Sequence, residues 1–323
     1  MTGAADRELP RLAVDDLGPI QIAARGSAAA TPLAGGSGLA RAGEWVHLVA
    51  DDEHRICSLR SDDVARAADA TVFREGDPHA DAAVRKATKP DVEALLVVEG
   101  RGRLQLVGLG SGSTERRRSG FVVALDGHGA IDGEPREVEL GGLYDAITPP
   151  GRPELNVEGA VQAAGDVLLL VRSSTGDNRL ARLDGARFLD GLASGSMGRG
   201  ALRSVDRVEL GTLEGIPLGF TDALRHDGRT WFSAAAEDTP NAYDDGQVVG
   251  SVLGLLDDDG HVVGRWRVDV PGAKVEGIDV VGMGRAATVW MVTDADAHDV
   301  PSRLLAAPLP AVPPRGVAER LRR

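Results

Sequence analysis

Apolar residues run through this chain in short blocks of about four to eight, divided by Gly, Asp, Asn and Pro, and the 3.6-residue spacing of amphipathic helices is nearly absent. Clear blocks are WVHLVA from Trp45, EALLVV from Glu93, LQLVGL from Leu104, GFVVALDG from Gly120, VLLLVRS from Val167, VLGLLDDDG from Val252 and TVWMVT from Thr288. Rich in Val and Leu, they predict β-strands. Asp-Gly pairs at Asp126, Asp184, Asp227 and Asp259 supply the positive φ that tight turns between strands require. The pattern is that of an all-β protein.

Self-similarity sharpens this reading. The segments PDVEALLVV, LNVEGAVQA, GFTDALRHD and KVEGIDVVG each place an acid before a small residue and a short strand. The acids are Glu93, Glu158, Asp222 and Glu276, spaced 65, 64 and 54 residues apart, somewhat more than the roughly 40 to 50 residues of common propeller blades. Long loops between strands account for the excess. A fifth copy, GGSGLARAG, precedes WVHLVADD and carries Ser37 in place of the acid. In the fourth unit LEGI at Glu214 competes with Asp222, which stands closer to its following strand. The expectation is a single five-bladed β-propeller with blades at about 35–85, 89–145, 154–211, 216–270 and 274–310, followed by a tail over 311–323. The last blade shows three obvious strands, and RLAVDDLGPIQIAARG before the first has no blade of its own. That N-terminal segment is therefore expected to supply the missing outer strand and close the ring. The competing architecture, two β-sandwiches divided near Pro149 and Pro150, leaves the recurring acid unexplained.

Composition narrows the partners. A net charge of -13 and a pI near 5.0 oppose binding to nucleic acid and to anionic lipid. No apolar run approaches the roughly 18 residues of a membrane span, and the acidic, proline-containing N-terminus lacks the pattern of a secretory signal. A cytoplasmic protein is expected. Its single cysteine, Cys57, is expected to be a small buried strand residue. Only Lys86, Lys89 and Lys274 are lysines among 36 basic residues, so each draws notice, and Lys89 and Lys274 flank the acidic motif.

The words VEA, VEG and VEGI that open successive blades resemble bacterial propellers grouped as phytase-like or esterase-like, in which an Asp-x-Glu-Gly type signature starts each blade. FSAAAEDTPNAYDDGQVVGSVLGLLD resembles a stretch of an uncharacterised propeller family of the same group. The resemblance spans about Gly35 to Leu309 and implies a channel-facing role for Glu93, Glu158, Asp222 and Glu276. Two departures stand out: Ser37 in the first blade and Thr-Asp-Ala in the fourth.

An acid at the start of each innermost strand recurs around the axis. Two like charges about 5 Å apart repel by roughly 3 kcal/mol at an effective dielectric near 20, so the cluster needs a divalent cation, raised pKa values or basic neighbours. An all-oxygen donor set suits Ca²⁺ better than zinc. The expected metal ligands are thus Glu93, Glu158, Asp222 and Glu276, with Lys89 and Lys274 as alternative counter-charges. Hydrogen bonding of the acids to backbone amides of the neighbouring blade is the structural alternative.

Polar loops GSGSTERRRSG, RSSTGDNR, EDTPNAYDDGQ and TDADAHDVPSR lie on the same face. They nominate Arg117, Arg118 and Asn178, with Lys89 and Lys274, as binders of a small anionic molecule. Asp294, Asp296, His298 and Asp299 lack the Gly and Glu of an EF-hand loop, the serines have no Gly-x-Ser-x-Gly elbow, and GLGSGS enters no helix. The expected function is a ligand- or metal-binding propeller, with metal-dependent hydrolysis of a small phosphorylated or ester substrate as its enzymatic form. A scaffold that meets a protein partner is the alternative.

Overall fold

The computed structural model describes residues 9–23, 30–76, 82–148, 155–173, 175–238, 247–270, 274–297 and 299–312. Four short strands come first: β1 (Arg11–Leu12), β2 (Asp15–Pro19), β3 (Gln21–Ala23) and β4 (Ala30–Pro32). The first blade is β5 (Gly36–Ala42), β6 (Trp45–Ala50), β7 (Arg55–Arg60) and β8 (Asp69–Val72), followed by the helix α1 (Ala82–Thr88). The second is β9 (Val92–Gly100), β10 (Arg103–Gly110), β11 (Ser119–Leu125) and β12 (Arg136–Glu139), followed by α2 (Gly141–Ile147). The third is β13 (Val157–Ala163), β14 (Asp166–Val171), β15 (Asn178–Asp184) and, after α3 (Gly185–Ser194), β16 (Leu202–Val208). After β17 (Thr212–Leu213), the fourth blade runs through β18 (Ile216–His226), β19 (Arg229–Asp238), β20 (Gln247–Leu256) and β21 (Val262–Val268). The fifth has β22 (Lys274–Val281), β23 (Thr288–Asp294) and β24 (Arg303–Pro308).

Each blade is a four-stranded antiparallel meander or contains one. The fifth is completed by β2, which pairs antiparallel with β24 as its outermost strand. The N-terminal segment thus closes the ring, and β1 adds a parallel pair to the outer strand of the fourth blade. The innermost strands β5, β9, β13, β18 and β22 contact one another in succession, with β22 returning to β5.

Burial explains the apolar blocks. The core consists of five clusters, one between each pair of successive blades. In β14, Val167, Leu169 and Val171 face the second blade while Leu168 and Leu170 face the fourth. A strand covered on both faces needs apolar residues at consecutive positions, so it loses the alternation of a half-buried strand. Cys57 is fully buried in the cluster between the first and fifth blades, and burial pushes its thiol up to about 12. Among the described residues no helix is long and apolar enough to cross a membrane. Lys86's side chain, His298, and the tail from residue 313 onward lie outside the described residues.

Candidate functional site

Every innermost strand opens with a β-bulge at the same place. From β5 to β6 the pairing steps from Gly36↔Ala50 to Gly38↔Val49, leaving Ser37 out of the ladder. Equivalent steps leave out Glu93, Glu158, Thr221 and Glu276 on the other four inner strands. A bulge bends its strand and re-aims the extra residue, so the five blades present Ser, Glu, Glu, Thr and Glu around one end of the axis.

Asp222 is not in this ring. Matching acid to acid places the fourth blade one residue late; the residue that aligns structurally is Thr221, whose hydroxyl donates to Ser233 Oγ at 2.8 Å. Asp222 is fully buried and accepts N–H bonds from Ile278 of the fifth blade and from Ala223, both at 2.7 Å. Burial raises its pKa well above the usual range against the pull of those two amides. It serves as cement between blades, the role considered for all four acids. Glu93, Glu158 and Glu276 differ, for no backbone N–H of a described residue donates to their carboxylates. Glu214 lies in the turn between β17 and β18, exposed and paired with Arg267 at 2.6 Å.

Two charged clusters meet at the bulges. On the first and second blades, Asp51, Asp91 and Glu93 each bring a carboxylate oxygen within 4.8 Å of the others. Lys89 Nζ bonds Asp51 and lies 2.7 Å from Asp91, whose other oxygen meets Arg117 at 2.9 Å and accepts from Ser111. Burial, reinforced by Asp91, Glu158 and Asp51, drives Glu93 well above the usual carboxylate pKa, and Lys89 only partly opposes this.

On blades three to five, Arg172 reaches Glu158 at 3.4 Å and Glu237 at 2.6 Å, while Asn156 donates to Glu158. Lys274 lies 2.8 Å from Glu276, 3.1 Å from Asp296 and 3.3 Å from Glu237. Burial raises the pKa values of Glu158 and Glu276 despite these cations. Glu237 is buried too, yet Lys274 and Arg172 outweigh that cost and hold it at about 2. Asp294 is raised to about 7 chiefly by burial, which Lys274 opposes and the negative charges of Asp296 and Asp51 reinforce.

The sequence profile of DUF6929, a family of unknown function, matches residues 32–309, which hold every blade strand except β2. The chain belongs to the DUF6929 family. No curated protein matches it. Among solved structures it is similar to the Myxococcus xanthus glutaminyl cyclase at 14% identity and a TM-score of 0.46, covering 94% of this chain and all of that one. It is also similar to the Bacillus subtilis arabinanase Arb43A at 13% identity and a TM-score of 0.48, covering 85% of this chain and 94% of that one. At such identities a likeness concerns fold alone, so the site of this DUF6929 member has to be read from its own residues.

Of the nominated anion binders, Lys89, Arg117 and Lys274 lie in the two clusters. Arg118 does not: it turns outward to Glu115, Asp145 and the carbonyl of Gly141, tying the loop after β10 to α2. Asn178 is fully buried between the third and fourth blades, donating to the Leu218 carbonyl at 2.7 Å and accepting from Ser173 N at 3.1 Å.

Asp51, Asp91, Arg172 and Glu237 escaped the sequence reading as site residues. For Asp91 the signal was present. It stands two residues before Glu93, as Asn156 and Lys274 stand before Glu158 and Glu276, and a period of two puts such pairs on one side of a strand. At the same position in the other blades stand Gly35 and Gly219. A Cβ there would lie 2.7 Å from Asp51 Oδ1 and 2.9 Å from Arg172 Nε, so these glycines make room for charges from neighbouring strands.

Proposed function

We propose that the end of the channel where the bulges gather binds a divalent cation, Ca²⁺ in the first place, and that the ion serves hydrolysis of a small phosphorylated or ester substrate. The observation that carries this reading is the convergence of Asp51, Asp91 and Glu93 within 4.8 Å, with Glu93 left short of positive charge. Hard oxygen donors favour Ca²⁺, and a bound ion would polarise a phosphoryl or carbonyl oxygen or acidify a water. Glu158 and Glu276, named with Glu93 from the repeat alone, would face the substrate rather than hold the ion. Lys89 and Arg117 border the trio and would meet an anionic group.

A second reading rests on Lys89, whose ammonium already bridges Asp51 and Asp91 and can stand as the built-in counter-charge of a non-enzymatic scaffold. Melting in excess Ca²⁺, Mg²⁺ or EDTA separates the two. A native-state ion at 100 times its dissociation constant adds about 2.7 kcal/mol, and Lys89→Met should then increase the Ca²⁺ response by removing a competitor. Identical melting in Ca²⁺ and EDTA for both proteins would favour the scaffold, as would absence of turnover of p-nitrophenyl phosphate and p-nitrophenyl acetate.

A further inference from the structure

The part of the site on blades three to five has an unmet requirement of its own. Glu276 Oε1 is held by Lys274 at 2.8 Å, but Oε2 is buried with no hydrogen-bond partner among the described residues, on a side chain only 5% exposed. A buried carboxylate oxygen with no donor is costly. The surrounding cations are committed: Arg172 to Glu158 and Glu237, and Lys274 to Glu237, Glu276 and Asp296. Among the described residues Glu158, Glu237, Glu276 and Asp296 share the two cations Arg172 and Lys274, so carboxylates outnumber positive charges here.

We infer that the charged cluster around Glu276 receives the protonated primary amine of a small organic molecule, with Glu276 as its counter-charge and Glu158 beside it. Each alternative class meets an obstacle. An anion would join an excess of negative charge, and a neutral hydroxyl would supply the donor without the charge. A divalent ion would need several oxygen ligands at once, and Glu237 and Asp296 are already tied to Arg172 or Lys274. A primary ammonium brings both a positive charge and three N–H donors, one of which can meet Glu276 Oε2. The inference rests on the reading of the channel end as a binding site, but not on the cation held by Asp51, Asp91 and Glu93.

The test is thermal melting and titration calorimetry of the full chain in EDTA with millimolar ethanolamine or putrescine. Choline, which carries the charge without N–H donors, and erythritol, which carries donors without charge, are the controls. The expected result is a rise in melting temperature with the primary amines and little with the controls. Glu276→Gln should weaken amine binding by about tenfold or more, since it keeps shape and removes charge. Glu158→Gln should weaken it in the same direction and serves if the first variant does not fold. Asp51→Asn should abolish a Ca²⁺ response while leaving the amine response in place. An amine response without a Ca²⁺ response would overturn the metal reading and support this one. No response to the amines, an equal response to erythritol, or full amine binding by both glutamine variants would overturn the inference.

Discussion

Asp222 and Glu276 stand on successive inner strands, both buried carboxylates, and their surroundings give them opposite work. Asp222 uses its oxygens on two backbone amides, one of them across the interface between blades. Asn at that position keeps one acceptor and turns an NH₂ towards the other amide. Asp222→Asn should therefore destabilise the fold by about 1–3 kcal/mol in urea unfolding, without altering any Ca²⁺ or amine response. Loss of those responses at unchanged stability would place Asp222 back among the ligand-binding acids. The raised carboxyls also predict a pH dependence. Asp279, whose carboxylate accepts from Arg41 N and Val280 N, is pushed by burial from 3.8 to about 6, and Asp294 from 3.8 to about 7. The folded chain then holds more protons than the unfolded one as pH rises from 3.8 towards 7, so stability falls across that window. Glu237, lowered from 4.5 to about 2, acts in another range: its contribution is complete above 4.5 and is lost as pH falls through 2. In EDTA the urea midpoint should decline from pH 5 to pH 8, and a rise over that interval would show that these acids are not held protonated by burial.

At the scale of the element, the repeating unit is a bulge with small residues around it. The residue after the bulge is Gly38, Ala94, Gly159, Asp222 or Gly277, and it faces the inner strand of the next blade. A Cβ on Gly159 would lie 2.8 Å from Ala223 N and 2.9 Å from Asp222 Cα, backbone atoms that cannot swing aside. Gly159→Ala is expected to cost about 1–3 kcal/mol or more by forcing the third and fourth blades apart. Gly198→Ala, where a Cβ meets nothing within 4 Å, is the control and should be close to neutral. Equal effects in a melting comparison would remove the close approach as the reason for the small residue. The acid-small pair was legible in the sequence at Glu93, Glu158 and Glu276 because both the charge and the small residue recur. In the fourth blade the bulge carries Thr221 and the small position carries the acid, so the chemical pattern slipped against the backbone register. Nothing in one blade's local sequence states which residue the ladder omits, since that depends on pairing with the second strand.

For the whole molecule, closure depends on the most distant pairing in the chain, β2 with β24, together with Ile20, Ile22 and Leu33 buried against the first and fifth blades. Deleting residues 1–34 removes all of these and bares the edge of β24. At about 1.5–3 kcal/mol per buried side chain, the loss should be on the order of 5 kcal/mol, with aggregation visible by light scattering. A monomeric variant that melts like the full chain would show that the ring does not need its N-terminal strand. Apolar blocks, turn residues and the recurrence of one motif determined, from sequence alone, an all-β ring of five units with acids near its axis. Those features report local backbone preference and burial on both faces, which each segment carries within itself. Tertiary structure decided which charges share the site. Asp51 arrives from the first blade, Arg172 from the third and Glu237 from the fourth, while Asn178 and Arg118 leave it. Charged neighbours around an axis are set by the rotation between blades and by which residue each bulge expels, and neither is written in the spacing of any single segment.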